Sequence, residues 1–539
     1  MHNIESHFPF PQIREAQREA LNALQKALVE DDKKFFIVDA ETGVGKSAIA
    51  VAASGYLNAL PSKNTMLKRR GSYFLTTQKI LQDQYERDFS KSQGMLSIRS
   101  SSNFRCQGTK GISCAEGMRI LKAGNTGTKH HSICTRNCIY KKHKREFIDG
   151  DLGVTNYSYF LAETYYSGQL EEKRVLVIDE AHNLVSELSK FVEIAVTERF
   201  AKQALKLDFP GKLTQAAAIK WIKETYMPKA KTRLARLQSD VKTLIGSASR
   251  LAQFEKIASQ IELLDKHVCK INRFLETYDK DNWVFDFVPA DGRSLAKFEF
   301  KPIDVSDFAT EMVFNRADKI VLMSATIISK EKFCQLLGIK PEQAGYIKLD
   351  SPFPLENRPV AFSGVGKMNA SNINNTLPKM AQAVQMILDA HPGEKGIIHA
   401  HSYKVANFIM NNVRSRRLLT HDSSNRDDVL QQHMSSKEAT VLVSPSMQEG
   451  VDLRDDLSRF QVLCKVPFPY LGDKLIKKRM YKWKWWYDYE TTKTIVQSVG
   501  RSVRNEADFA VTYILDEDWH RFASKNVNML PENLAATIK

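Results

Sequence analysis

Gly43-Val44-Gly45-Lys46-Ser47 places a primary amine and a hydroxyl at the end of a glycine-rich turn. Read from Ala40, the run is A-x-x-x-x-G-K-S. Such a turn lets backbone N–H groups close around phosphate oxygens, while the lysine reaches the β- and γ-phosphates and the hydroxyl holds Mg²⁺. A second reactive pair is Asp179-Glu180, continued by Ala181-His182. Adjacent acids suit nucleotide hydrolysis, Asp179 holding magnesium through water and Glu180 orienting and deprotonating the attacking water. A third set is Gln497-Ser498-Val499-Gly500-Arg501-Ser502-Val503-Arg504. Its arginines are three apart, so on a helix they would share a face and reach a phosphate together. Taken singly, the acids also read as a helix cap and the arginines as a solvated basic face. Together the three sets imply a bound nucleoside triphosphate, ATP or a close relative.

Elements of the right kind stand beside each set. The apolar run Phe35-Phe36-Ile37-Val38 predicts a buried strand feeding the glycine turn, and Ser47 to Ala52 predicts a helix aiming its positive end at the anion. Val175 to Ile178 predicts a second buried strand delivering Asp179 and Glu180 at its end. Ile320 to Met323 predicts a third, ending in Ser324-Ala325-Thr326, which alone is an ordinary strand-end turn. At 539 residues the chain is too long for one core, and three or four domains are expected. No apolar leader or membrane-length run is visible, and no nuclease is expected ahead of Phe10. The net charge is +16, and two segments concentrate it. Residues 101–145 hold ten Lys/Arg against Glu116 alone, and residues 201–280 hold sixteen against eight acids. Local excesses of this kind favour a polyanionic partner over a generic basic surface.

Four of the seven cysteines, Cys106, Cys114, Cys134 and Cys138, are spaced C-x7-C-x19-C-x3-C. Clustering favours a metal centre over disulfides, and spacing alone leaves zinc and iron–sulfur both open, with His130, His131 and His143 nearby. Cys269, Cys334 and Cys464 are scattered and read as buried free thiols. Leu251, Phe254, Ile257, Ile261, Leu264, Val268, Ile271 and Leu275 predict one apolar stripe of a long helix, and Tyr278, Trp283 and Phe285 read as packing residues. Between Lys474 and Tyr489 cations alternate with aromatics. That pattern suits either base stacking or rings at a domain boundary covered by lysine stems.

In order and identity the motifs resemble those of superfamily-2 helicases, within them the XPD/DinG iron–sulfur group. Phe10 to Gln17 looks like that family's adenine-side motif, Asp39 to Ser47 its motif I and Tyr73 to Gln78 its motif Ia. Asp179 to His182 resembles the DEAH box, Ser324 to Thr326 motif III and Gly396 to Tyr403 motif IV. Glu449-Gly450-Val451-Asp452-Leu453 resembles motif V and Gln497 to Arg504 motif VI. The resemblance implies an α/β fold of two RecA-like domains clamping ATP and Mg²⁺. It divides the chain into motor domain 1 (1–100, 146–190 and 301–330), a four-cysteine insertion (101–145), a helical arch (191–300) and motor domain 2 (331–539). Lys46, Asp179, Glu180, Arg501 and Arg504 would be catalytic. Gln17, Thr42, Gly43, Val44, Gly45, Lys46, Ser47, Asp179, Asp452 and Gln497 would contact nucleotide, with Ser47 and Asp179 on magnesium. Cys106, Cys114, Cys134 and Cys138 would hold a [4Fe–4S] cluster, zinc being the alternative. The implied activity is ATP-driven helicase or translocase action, 5′→3′ on single-stranded or forked DNA, by a cytoplasmic monomer (nuclear in a eukaryote). An ATP-switched nucleic-acid binding module and a zinc-stabilised RNA-directed ATPase stay open.

Overall fold

A computed structural model of the chain describes residues 3–41, 43–61, 69–122, 129–136, 138–244, 251–292, 294–447, 453–503 and 507–538. In chain order its strands are β1 (Phe35–Ala40), β2 (Arg69–Thr76), β3 (Leu96–Ser97), β4 (Leu152–Asn156), β5 (Lys173–Ile178), β6 (Ile194–Thr197), β7 (Trp283–Val288) and β8 (Lys297–Pro302). They continue as β9 (Ala317–Ser324), β10 (Ala344–Leu349), β11 (Val360–Gly366), β12 (Gly396–His399), β13 (Leu418–Thr420), β14 (Val441–Ser444), β15 (Phe460–Leu463) and β16 (Val511–Asp516). They form a seven-stranded sheet in the order β10-β1-β9-β5-β2-β4-β3, a six-stranded sheet β11-β16-β15-β12-β14-β13 and a three-stranded sheet β6-β8-β7. Every paired neighbour in the two large sheets is parallel.

The apolar runs are continuous because helices cover both faces of the first sheet. Along β1, Phe35 and Ile37 enter one core while Phe36 and Val38 enter the other. Leu176 and Ile178 of β5 alternate with Val175 and Val177 in the same way, as do Ile320 and Leu322 of β9 with Val321 and Met323. Each such buried side chain contributes about 1.5–3 kcal/mol. β1, β9 and β5 are consecutive neighbours, with Asp39 opposite Ser324 and Ile178 opposite Leu322. The ends bearing the glycine turn, the Ser324 hydroxyl and the acid pair are therefore side by side. Because β10 pairs with β1, the first sheet continues past residue 330, the boundary expected for motor domain 1.

The expected arch contains the long helix, Leu251–Thr277, packed against Met227–Lys242. It also contains the antiparallel sheet β6-β8-β7, which the helical expectation missed. Its signal is strict alternation in β8, where Phe298 and Phe300 are buried between Lys297, Glu299 and Lys301. Cys334 and Cys464 are buried as expected, but Cys269 is exposed on the long helix. Among the described residues no helix is long and apolar enough to cross a membrane.

The buried rings of the cation–aromatic segment pack between the lobes, while Tyr481 stays exposed. Trp483, Trp486 and Tyr489 are buried with Leu336, and the Tyr489 hydroxyl donates to the Ile327 carbonyl at 2.8 Å. Arg479, itself buried, donates to the carbonyls of Ile303 (2.9 Å) and Pro302 (3.2 Å) and to the Ser189 hydroxyl (2.9 Å). Lys482 pairs with Asp304 and Lys474 with Asp286, each at 2.6 Å. Arg479→Ala should leave those buried acceptors without a donor, at a cost of about 2–4 kcal/mol. The expected readout is a lowered melting temperature by calorimetry; Lys474→Ala, an exposed pair, should move it by less than about 1 kcal/mol.

Candidate functional site

The glycine turn is shaped by two residues in the left-handed region, Gly43 at φ +91° and Gly45 at φ +89°. A Cβ at Gly45 would lie 2.4 Å from the Gln17 amide nitrogen, and one at Gly43 would fall 2.1 Å from the Phe353 ring. Only glycine meets both the dihedral and the crowding. Behind the turn the helix Lys46–Ala59 begins with Gly45 as its N-cap, so unsatisfied N–H groups point out of it. Lys46 Nζ donates to the carbonyls of Ala40 (2.8 Å) and Glu41 (3.4 Å), which keeps the amine beside the turn.

Residues from the first helix brace this turn. Gln17 is buried, donating through Nε2 to the Val44 carbonyl at 2.9 Å and accepting the Arg14 N–H through Oε1 at 3.0 Å. Arg14 Nη1 donates to the Gly43 carbonyl at 2.8 Å. Gln17, expected on the nucleotide, thus engages both ends of its amide with the chain itself.

Asp179 and Glu180 emerge from the end of β5, in the same sheet as the turn. The buried Tyr85 hydroxyl donates to Asp179 Oδ2 at 3.0 Å, the Tyr157 hydroxyl to the Asp179 carbonyl at 3.0 Å and the Glu180 N–H to Asp179 Oδ1 at 2.9 Å. Burial pushes the Asp179 carboxyl up to about 6, the Glu180 charge adds to the rise and Lys46 opposes it. A buried acid in this state is stabilised by a dication. Glu180 sits at φ +50°, in the left-handed region that non-glycine residues rarely adopt. His182 Nδ1 lies 2.7 Å from the Ser324 hydroxyl and 3.3 Å from Glu180 Oε2. The acid pair and the Ser324 turn are thereby one unit, although the tripeptide alone was a weak signal.

From the second sheet, the helix Trp486–Val499 presents Gln497 and Arg501. The helix ends at Gly500, so Arg501 lies beyond its last turn rather than on a helical face as expected; its Nε donates back to the Gln497 carbonyl at 2.9 Å. His399, at the end of β12, is buried, and burial together with the nearby Arg501 charge lowers its imidazole to about 4. Lys46, Ser47, Asp179, Glu180, Gln497 and Arg501 all line one cavity of about 730 Å³ between the two sheets. Thr42, Asp452 and Arg504 lie outside the described residues, so their expected contacts are not located.

Residues 384–537 match the helicase C-terminal domain model, and residues 10–212 match the model of the type III restriction enzyme res subunit. The chain is 22% identical to the ATP-dependent DNA helicase YoaA of Escherichia coli, over 93% of this chain and 91% of that one. It is 24% identical to a probable ATP-dependent helicase of Methanocaldococcus jannaschii, over 98% and 96%. A solved XPD helicase superposes with a TM-score of 0.63 at 16% identity, covering 96% of this chain and 98% of that one. The chain is thus similar to these helicases along nearly its whole length and shares the fold of the XPD helicase.

In this chain the four-cysteine insertion is built by local pairing. The Cys106 N–H donates to the Ile112 carbonyl at 3.0 Å and the Cys114 N–H to the Phe104 carbonyl at 2.7 Å, which brings two cysteines together. Cys138 caps the helix Ile139–Asp149, and its Sγ lies 3.8 Å from that of Cys114. Burial first, and then the nearby Cys138, Cys134 and Cys106, push the Cys114 thiol up to about 12. Thiols that oppose one another's ionisation gain from a shared cationic centre, and four soft ligands suit iron–sulfur or zinc. His130 is committed elsewhere, its Nδ1 2.9 Å from the Thr109 hydroxyl and its Nε2 3.0 Å from the Gly117 carbonyl. Among the described residues no group of three or more His, Cys, Asp or Glu side chains is disposed to hold a metal ion. The insertion docks on the arch through Arg119 with Glu262 and through Ile120 packed on Val241 and Phe254.

Among the cavity residues that escaped the sequence reading are Tyr85, Phe353 and Arg358. Arg358 Nη1 pairs with Glu41 Oε2 at 2.7 Å. For Tyr85 the only signal was its place six residues into a helix following the Tyr73 to Gln78 motif; the others gave none.

Proposed function

We propose that the chain is an ATP-dependent DNA helicase that uses ATP hydrolysis in the cleft between its two parallel sheets to move along a nucleic-acid strand. The observation that carries this reading is the single cavity lined by Lys46, Ser47, Asp179 and Glu180 from one sheet and by Arg501 from the other. Phosphates held on one lobe and an arginine on the other make closure depend on the γ-phosphate, so hydrolysis releases the lobes. Ser47 and Asp179 would hold Mg²⁺, which shields the phosphate charge, and Glu180 would position and deprotonate water. Relatives named as DNA helicases support DNA as the track, and basic segments 101–145 and 201–280 supply cations for its backbone.

Travel in the 5′→3′ direction, preference for a forked substrate and a [4Fe–4S] cluster on Cys106, Cys114, Cys134 and Cys138 are part of the same reading, supported by family resemblance. A cluster there would stiffen the small basic insertion without entering the ATP chemistry. The test is anaerobic purification with iron and sulfide analysis, followed by unwinding of duplexes bearing only a 5′ or only a 3′ tail. ATP-dependent separation of the 5′-tailed duplex by iron-loaded protein is expected. Separation of the 3′-tailed duplex alone would refute the polarity, and an iron-free, zinc-containing active protein would refute the cluster.

A further inference from the structure

The phosphate-binding turn of this chain contains an acid. Glu41 stands two residues before Gly43, and its side chain lines the cavity with Lys46 and Ser47. An anion there opposes the arrival of a triphosphate, because like charges a few ångströms apart repel strongly in a partly dehydrated cleft. The structure supplies a counter-charge from far along the chain. Arg358 Nη1 lies 2.7 Å from Glu41 Oε2, with the two side chains only 17% and 25% exposed. Arg358 also lines the cavity.

The segment bearing Arg358 connects the lobes. It leaves β10, which pairs with β1, and runs into β11, which pairs with β16 of the second sheet. Just beyond Arg358, the Thr512 N–H donates to the Pro359 carbonyl at 2.9 Å, tying the connector to the second lobe. Toward its other end Phe353 packs over Gly43, so close that a Cβ there would be 2.1 Å from the ring. The connector therefore touches the turn at two points, an aromatic ring on Gly43 and a guanidinium on Glu41.

We propose that Arg358 is a positioning residue that neutralises Glu41, so that the turn accepts a triphosphate despite carrying an acid, and that this pair ties nucleotide affinity to the connector between lobes. The inference rests on the cleft being the ATP site. Removing the cation alone should leave an uncompensated anion beside the phosphates, whereas removing both charges should not.

The test is steady-state ATPase kinetics on the full chain with Glu41→Gln, Arg358→Gln and the double variant. Arg358→Gln is expected to raise KM for ATP about tenfold while kcat stays within about twofold. Glu41→Gln should leave KM unchanged or lower it, and the double variant should match Glu41→Gln. An unchanged KM in Arg358→Gln overturns the proposal. So does a rise that persists in the double variant, since Arg358 would then act on the nucleotide itself or through structure. Should Arg358→Gln fail to fold, the comparison of Glu41→Gln with the double variant decides alone: equal KM values support the pair and a higher one in the double variant overturns it. Failure of the underlying reading looks different, because Lys46→Ala would then retain full turnover.

Discussion

Lys46→Ala is expected to reduce ATP turnover by on the order of 10²–10³ or more while leaving the fold intact. Two losses combine. The amine now held on the Ala40 and Glu41 carbonyls would no longer meet the β/γ-phosphates. The same charge also opposes the rise of the Asp179 carboxyl, which burial has already lifted to about 6. Without Lys46 that acid rises further, so a larger share is protonated near neutral pH and its hold on magnesium weakens. The effect should therefore deepen as pH falls toward 6 and ease as pH rises above it. Stability should change little, since Lys46 opens the helix and alanine is a good helix former there. The check is ATPase rate at several Mg²⁺ concentrations beside a thermal melt. Unchanged turnover would remove Lys46 from the phosphate site.

Which parts of this site were legible in the sequence follows from how far each signal reaches. The glycine turn, the acid pair and the Ser324 turn each follow an apolar run, and a strand buried on both faces announces itself by such a run. Their adjacency was less visible. It depends on β9 inserting between β1 and β5, a pairing that no local pattern encodes. Tyr85 was lost for a related reason: its helix, Lys79–Gln93, is polar on average, and its partner Asp179 lies 94 residues away. Arg358 and Glu41 are 317 residues apart and each resembles a solvated charge until the fold pairs them. The helix expected to carry the arginines is cut short by Gly500, whose N–H closes on the Val496 carbonyl at 3.0 Å. Arg501 lines the cavity with Lys46, although it lies beyond the helix that was expected to carry it. For the aromatic segment near Trp483, composition allowed two outcomes, and only the buried contacts of Trp483, Trp486 and Arg479 choose packing.

Arg501→Ala should produce a different defect from Lys46→Ala. An arginine supplied across a cleft to a transferring phosphoryl group is typically worth about 10³–10⁵ in rate, and it acts on charge that develops in the transition state. The loss is therefore expected in kcat, with KM for ATP and binding of a non-hydrolysable analogue little changed. An indirect route through His399 can be set aside on electrostatic grounds. The Arg501 charge contributes to holding that imidazole near 4, but burial is the larger cause, so His399 stays neutral at pH 7 when the arginine is removed. Loss of the Arg501 Nε bond to the Gln497 carbonyl uncaps one helix end, a small structural effect beside a thousandfold loss in rate. Arg501→Lys preserves the charge without the planar fork and should recover only part of the activity. Single-turnover hydrolysis with saturating ATP isolates the step. A KM effect with normal kcat would place Arg501 in ground-state binding, and normal kinetics would mean that the two lobes do not close on one nucleotide.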